Sequence, residues 1–152
     1  MKHDRHHSFF RDERGATALE FALVSPLLCV LLVGLIDYGM GYWQKMQVGN
    51  AARAGAQYAM ASGWNQTAIS TAVTSATGLA SISASPAPSQ ACGCPSASSG
   101  IVAASCGSSC TGGGTAGTYV TVNASATYSP LLPYHGIAGT IALTTTNTVR
   151  IN

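Results

Sequence analysis

What this sequence has least of is charge. Only 8% of its 152 residues are Asp, Glu, Lys or Arg, about a third of the usual share in a soluble domain. The shortage is local: eleven of the twelve charged side chains lie at or before Arg53, and Ala54 to Val149 contains none. No acid follows Asp37, and His135 is the one histidine outside the first fifteen residues. These absences exclude several functions. A catalytic histidine needs an orienting carboxylate, so His135 reads as a turn residue. The chain is not expected to be an enzyme: no catalytic residue, metal ligand, cofactor or small-molecule substrate is assigned. The net charge of +2 comes from side chains that, Arg150 apart, lie at or before Arg53. That is no basic stripe, so no nucleic-acid partner is expected. A charge-free region of Ser, Thr, Ala and Gly stays dispersed poorly on its own, which points to tethering or assembly.

What is present begins with a polar leader, MKHDRHHSFFRDERG, residues 1–15, holding four basic and three acidic side chains and three histidines. His3, His6 and His7 read as solvated leader residues rather than a metal site. Phe21 to Ile36 is then apolar apart from Ser25, and extending it back to Ala16 gives 21 positions if Glu20 is tolerated. A membrane-spanning helix needs about 20. Arg11 and Arg14 precede the run, whereas Asp37 follows it and the next basic residue is Lys45. This bias puts the N-terminus in the cytoplasm.

The helical pattern continues beyond the apolar run. Tyr42, Met46, Gly49, Ala52, Ala56 and Ala59 recur at helical steps, and the alanines add propensity. One helix over Thr17–Ala61 would be about 68 Å long, with Pro26 and Gly34, Gly39 and Gly41 as expected weak points. Ser62-Gly63 reads as its stop, and a shorter helix is predicted over residues 65–77. From 81 to 117 the chain is loop-like, with Ile101-Val-Ala-Ala its one strand signal. Val120, Val122, Ala124, Ala126 and Tyr128 then alternate with polar residues as in a half-buried strand. After a turn with Pro130 and Pro133, Ile141, Leu143, Val149 and Ile151 share a face of a last strand. A long helix beside a small antiparallel sheet is an α+β, pilin-like arrangement.

Cys29, in the apolar run, reads as a small buried thiol. The other four cysteines form a compact set, Cys92, Cys94, Cys106 and Cys110. A C-x-C pair is tighter than the usual zinc knuckle, and outside the cytoplasm disulfides are favoured. A bridge within C-x-C would be strained. Cys92–Cys106 with Cys94–Cys110, or Cys92–Cys110 with Cys94–Cys106, both remain open. Either would staple a Ser/Gly-rich segment, with about 3 kcal/mol of nominal stabilisation for a 15-residue loop.

The leader, the Gly15–Ala16 junction and Glu20 form one pattern, which resembles the class III signal peptide of type IV pilin-like proteins. More specifically, RGATALEFALVSPLL, NAARAGAQYA, the two cysteine pairs and TYVTVNASATYSPLLP resemble the TadE-like family of minor pseudopilins. The resemblance implies a leader (1–15), a transmembrane and assembly helix (16–37) and a periplasmic domain (38–152). That domain comprises a helix continuation (38–61), a Cys-stapled loop (81–117) and C-terminal strands (118–152). It further implies cleavage between Gly15 and Ala16 by a prepilin peptidase. The other implied partners are fellow pilins or pseudopilins, the Tad inner-membrane assembly platform and the inner membrane, with incorporation into an extracellular pilus. A minor role is implied because the main fibre pilins of such systems are shorter chains. Position in the machine, as priming complex, tip or shaft, is left open.

The pattern has a physical reason. Cleavage would create a free α-amine, protonated near neutral pH, one helical turn before Glu20. An ionised side chain at the centre of a membrane helix costs about 2.5–3.5 kcal/mol. A helix N-terminus returns about 0.3–1 kcal/mol to a carboxylate, and an ammonium from a neighbouring subunit would return more. Glu20 would then fix axial register, because a misplaced helix leaves the acid unpaired in a dry core. Two rivals stand beside this reading. Gly39-Met-Gly41 offers small residues for a general signal peptidase cutting before Tyr42, and the chain could be a signal-anchored periplasmic binding or adhesion protein that enters no filament.

Overall fold

The structure is a computed structural model that describes residues 13–131 and 139–151. The readings of His3, His6, His7, Pro133 and His135 lie outside the described residues. Helix α1 runs without interruption over Glu13–Ser62, 50 residues with Pro26 inside it. At 1.5 Å per residue this is about 75 Å of helix. The weak points expected at Pro26 and at Gly34, Gly39 and Gly41 do not break it. Gly63 ends it with a positive φ of 76°, and its N–H donates to the Ala59 carbonyl at 3.0 Å, a left-handed cap open to glycine at little cost. Asn65 then caps α2, Gln66–Ser75, by accepting from the Ala68 N–H at 3.0 Å.

Four strands follow: β1 Ser89–Ser96, β2 Gly100–Ala103, β3 Gly117–Tyr128 and β4 Ile141–Arg150. All pair antiparallel in the order β2-β1-β3-β4. The α+β expectation therefore holds, with one element added. The segment 81–117, read as a loop around one strand, also contributes β1. Its sequence SQACGCPS has no apolar alternation, and its order comes from partners: Ser89–Gly93 pairs with β3, and Gly93–Ser96 with β2. Gly93 is the handover point. A Cβ there would stand 2.5 Å from Ile101 Cγ2 and 2.7 Å from the Val102 carbonyl oxygen.

The core lies between the C-terminal half of α1, α2 and the inner face of β3 and β4. Val48, Ala51, Ala52, Ala56 and Ala59 of α1 meet Ile69 and Val73 of α2 and Val120, Val122, Ala124, Ala126 and Tyr128 of β3. Each fully buried Val or Ile contributes about 1.5–3 kcal/mol. The β3 alternation is as predicted, residue for residue. The α1 stripe is displaced from its predicted course: Ala52, Ala56 and Ala59 are buried, but Tyr42 and Met46 are exposed and Val48 and Gly55 take the inner face. Gly55 allows the close approach, since a Cβ there would fall 2.6 Å from Val73 Cγ2 and 2.8 Å from Val122 Cγ1. On β4 Leu143 is buried and Val149 packs against the core, as does Ile151 just beyond the strand, whereas Ile141 is exposed.

Candidate assembly and anchoring site

Among the described residues, no residue of α1 from Thr17 to Ile36 is buried. Thr17–Ser62 contains a stretch long and apolar enough to cross a membrane, and none of that stretch is buried within the chain. Leu23 is 73% exposed and Phe21 70%. Leu27, Leu31, Leu32 and Leu35 are exposed as well. An apolar surface of this extent on a monomer is a surface for lipid or for other proteins. Cys29 is a free and exposed thiol on this helix, not the buried one the sequence pointed to.

The junction read as a cleavage site lies in the first turn of this helix. α1 begins at Glu13, so the peptide between Gly15 and Ala16 is helical in the full chain. Gly15 is exposed, and a Cβ added to it would meet nothing within 4 Å. Its φ is not positive. Among the described residues the fold gives no reason for glycine at this position, where alanine would favour the helix by about 1 kcal/mol. Glu20, four positions after Ala16, is exposed on the helix and makes no ion pair among the described residues.

A second constellation, missed by sequence reasoning, sits where the bare helix meets the folded domain. Asp37 is the buried charged residue of the core, 3% exposed. The Tyr128 hydroxyl, at the end of β3, donates to Asp37 Oδ1 and stands 2.8 Å from the Asp37 carbonyl oxygen. The Leu131 N–H donates to the same carboxylate oxygen at 3.1 Å. Gly41, one turn on, gives the Tyr128 ring its space: a Cβ there would lie 3.3 Å from Cε1. The carboxylate is thus a joint that fixes α1 to the end of the sheet. The available signal was an acid closing an apolar run and a tyrosine closing the inward-facing face of a strand.

At the opposite end, the structure pairs Cys92 with Cys106 and Cys94 with Cys110, with Cα–Cα separations of 5.1 and 5.6 Å. This selects one of the two connectivities that the spacing allowed. The bridges tie β1 to the segment 104–116, where Ala116 N–H to Ser108 and Cys110 N–H to Gly114 supply the backbone order. All four sulfurs are committed to these bonds, and no cluster able to hold a metal occurs among the described residues.

Residues 15–57 match the family model described as TadE-like protein. The matched segment opens at Gly15, takes in the whole exposed half of α1 and Asp37, and stops inside the buried Ala/Gly stripe. No curated protein and no solved structure matches the chain. The match lies wholly within α1 and leaves α2 and the sheet outside it. The apolar half of α1 is consistent with a single-pass membrane anchor.

Proposed function

We propose that this chain is a minor pseudopilin of a Tad/Flp-type pilus or a related secretion machine. In this reading a prepilin peptidase cuts between Gly15 and Ala16 on the cytoplasmic side. The remainder of the apolar helix anchors the protein in the inner membrane, and the disulfide-tied domain stands in the periplasm. The observation that carries the reading is the first turn of α1. A helical glycine without packing or conformational need stands five residues before an exposed acid that heads an uncovered apolar helix. Glycine yields the helical state more readily than alanine by about 1 kcal/mol, which favours opening of the scissile peptide. Once cut, the new amine at Ala16 and the Glu20 carboxylate of adjacent chains are complementary charges on otherwise apolar surfaces. Packing such helices side by side in register pairs them.

The signal-peptidase alternative has less support. A cut before Tyr42 would fall beside the Tyr128 ring and would detach Asp37 from the domain that it joins. Mass spectrometry of the protein purified from membranes of a host with an active prepilin peptidase distinguishes the readings. A mature N-terminus at Ala16 is expected, and Gly15→Ala should retain the leader. An intact Met1 terminus with wild-type Gly15 refutes the pseudopilin reading in favour of a plain anchor, and a terminus at Tyr42 refutes it in favour of secretion. Glu20→Ala should be cut normally and fail in assembly, read as lost incorporation into the filament or priming complex at unchanged protein level.

A further inference from the structure

Between α1 and the lower end of the β3–β4 pair lies an open cleft of about 440 Å³. Its walls are almost wholly apolar: Tyr38 and Tyr42 from the helix face Tyr128, Ile141 and Leu143 from the sheet. Among the described residues, two charged ones border it, Asp37 and Lys45. The Asp37 carboxylate is engaged by Tyr128 and Leu131. Lys45 is exposed, and its ammonium donates to the Thr144 carbonyl at 3.3 Å. Lys45 is therefore the charge that the cleft offers to a ligand.

Helix geometry gives the cleft its level. A span of about 20 residues counted from Thr17 ends at Ile36, so Gly34, one of the cleft's lining residues, lies within the hydrocarbon and Asp37 at its boundary. The bond from Tyr128 to Asp37 brings the end of β3 to the same level, where Leu131 and Ile141 are both exposed. Tyr38, Tyr42 and Trp43, exposed over the next turns, are the residue types of an interfacial aromatic belt. Lys45 stands eight positions beyond Asp37, about 12 Å along the axis. Its ammonium is held at the Thr144 carbonyl, and Thr144 pairs with Ser125, three strand positions from Tyr128, about 10 Å along the strand. A phosphate bonded to that ammonium from the membrane side falls at the outer limit of the headgroup layer, which extends roughly 5–7 Å beyond the hydrocarbon.

We propose that this cleft seats one anionic phospholipid of the leaflet beneath the domain, with an acyl chain against Tyr38, Tyr42, Ile141 and Leu143 and the phosphate on Lys45. The proposal rests on the anchor reading of α1. The cleft is continuous with the membrane-facing helix surface, so a chain enters it without leaving apolar surroundings. Its volume lies in the range of about 300–1,000 Å³ that takes single small molecules. It holds no more than about one turn of a 10–12 Å wide helix, too little for the helix of a second copy.

The test uses the full chain in vesicles of phosphatidylglycerol and phosphatidylcholine, with a photoreactive benzoylphenylalanine placed at Leu28, Ile141 or Val102, one site at a time. Lipid adducts are expected at positions 28 and 141 and none at 102, on the far edge strand. Adducts at 28 without adducts at 141 overturn the cleft proposal and leave the anchor standing. Absence at 28 overturns the anchor reading and the proposal with it. Crosslinks from 141 to a second copy put protein in the cleft and also overturn the proposal. Lys45→Gln should lower the phosphatidylglycerol enrichment of the adducts at 141 by about fivefold without changing those at 28, and an unchanged enrichment removes the phosphate from Lys45.

Discussion

The two halves of α1 are one helix with two opposite solutions to the same problem. From Leu19 to Ile36 the side chains are mainly bulky and exposed; from Val48 to Ala59 they are mainly Ala and Gly and the inner face is buried. Size, more than hydropathy, separates them. Small residues let the helix backbone come close to α2 and β3, as at Gly55, and the helix–sheet core closes at short range. Leucine and phenylalanine would hold those layers apart, but they suit a surface that lipid tails or other helices cover. Asp37 stands where one solution gives way to the other, and the TadE-like match at 15–57 spans the change.

Breaking one half should spare the other. The largest effect is expected from Leu28→Arg, which places a cation in the middle of the anchor at a cost of about 3 kcal/mol. The fraction recovered in membranes should fall by roughly two orders of magnitude in a system where insertion is at equilibrium. Thermal unfolding of the domain, followed by near-ultraviolet circular dichroism, should stay as in the wild type. A domain that melts earlier would show that the bare half packs on its own fold after all. Gly55→Ala is the mirror experiment. Its methyl group has no room between Val73 and Val122, and overpacking of this kind costs about 1–3 kcal/mol. Urea midpoints should drop while membrane recovery is unchanged.

Much of this contrast was legible in the sequence, because each part had its own periodicity. The uninterrupted apolar run marked the exposed half, the period of two in Val120 to Tyr128 marked the central strand, and Gly63 marked the helix end. What escaped reading had a common cause: order supplied by a distant partner. β1 is a strand because β2 and β3 flank it, although Gly93, Cys94 and Pro95 have little strand preference of their own. The inner face of α1 turns on Val48 and Gly55 rather than on Tyr42 and Met46 because the sheet and α2 select which residues face inward, and several helical stripes fit an Ala-rich sequence equally well. Asp37 read as a flank of the membrane run, since its partners Tyr128 and Leu131 lie more than ninety residues away. At the N-terminal block the reverse holds. The reading of Gly15 and Glu20 does not depend on tertiary contacts, and both are exposed among the described residues.

The smallest predicted effect sharpens the boundary itself. Tyr128→Phe keeps the ring against Gly41 and removes the hydroxyl that donates to Asp37. A hydrogen bond to a carboxylate contributes about 1.5–3 kcal/mol, and the low end is expected here because the Leu131 N–H still donates to the same oxygen. The loss should also be local. Amide hydrogen exchange should quicken by about tenfold at residues 37–42 and 128–131 for a change of about 1.4 kcal/mol, with protection at Val48–Ala59 and along β3 above Ala124 unaltered. If protection fell equally throughout the core, Asp37 would belong to the domain's cooperative unit and the helix would change character nearer Gly34. If exchange changed only at the joint, the two halves of α1 would be energetically separate, so the apolar half could tilt or pack against other helices without straining the folded domain.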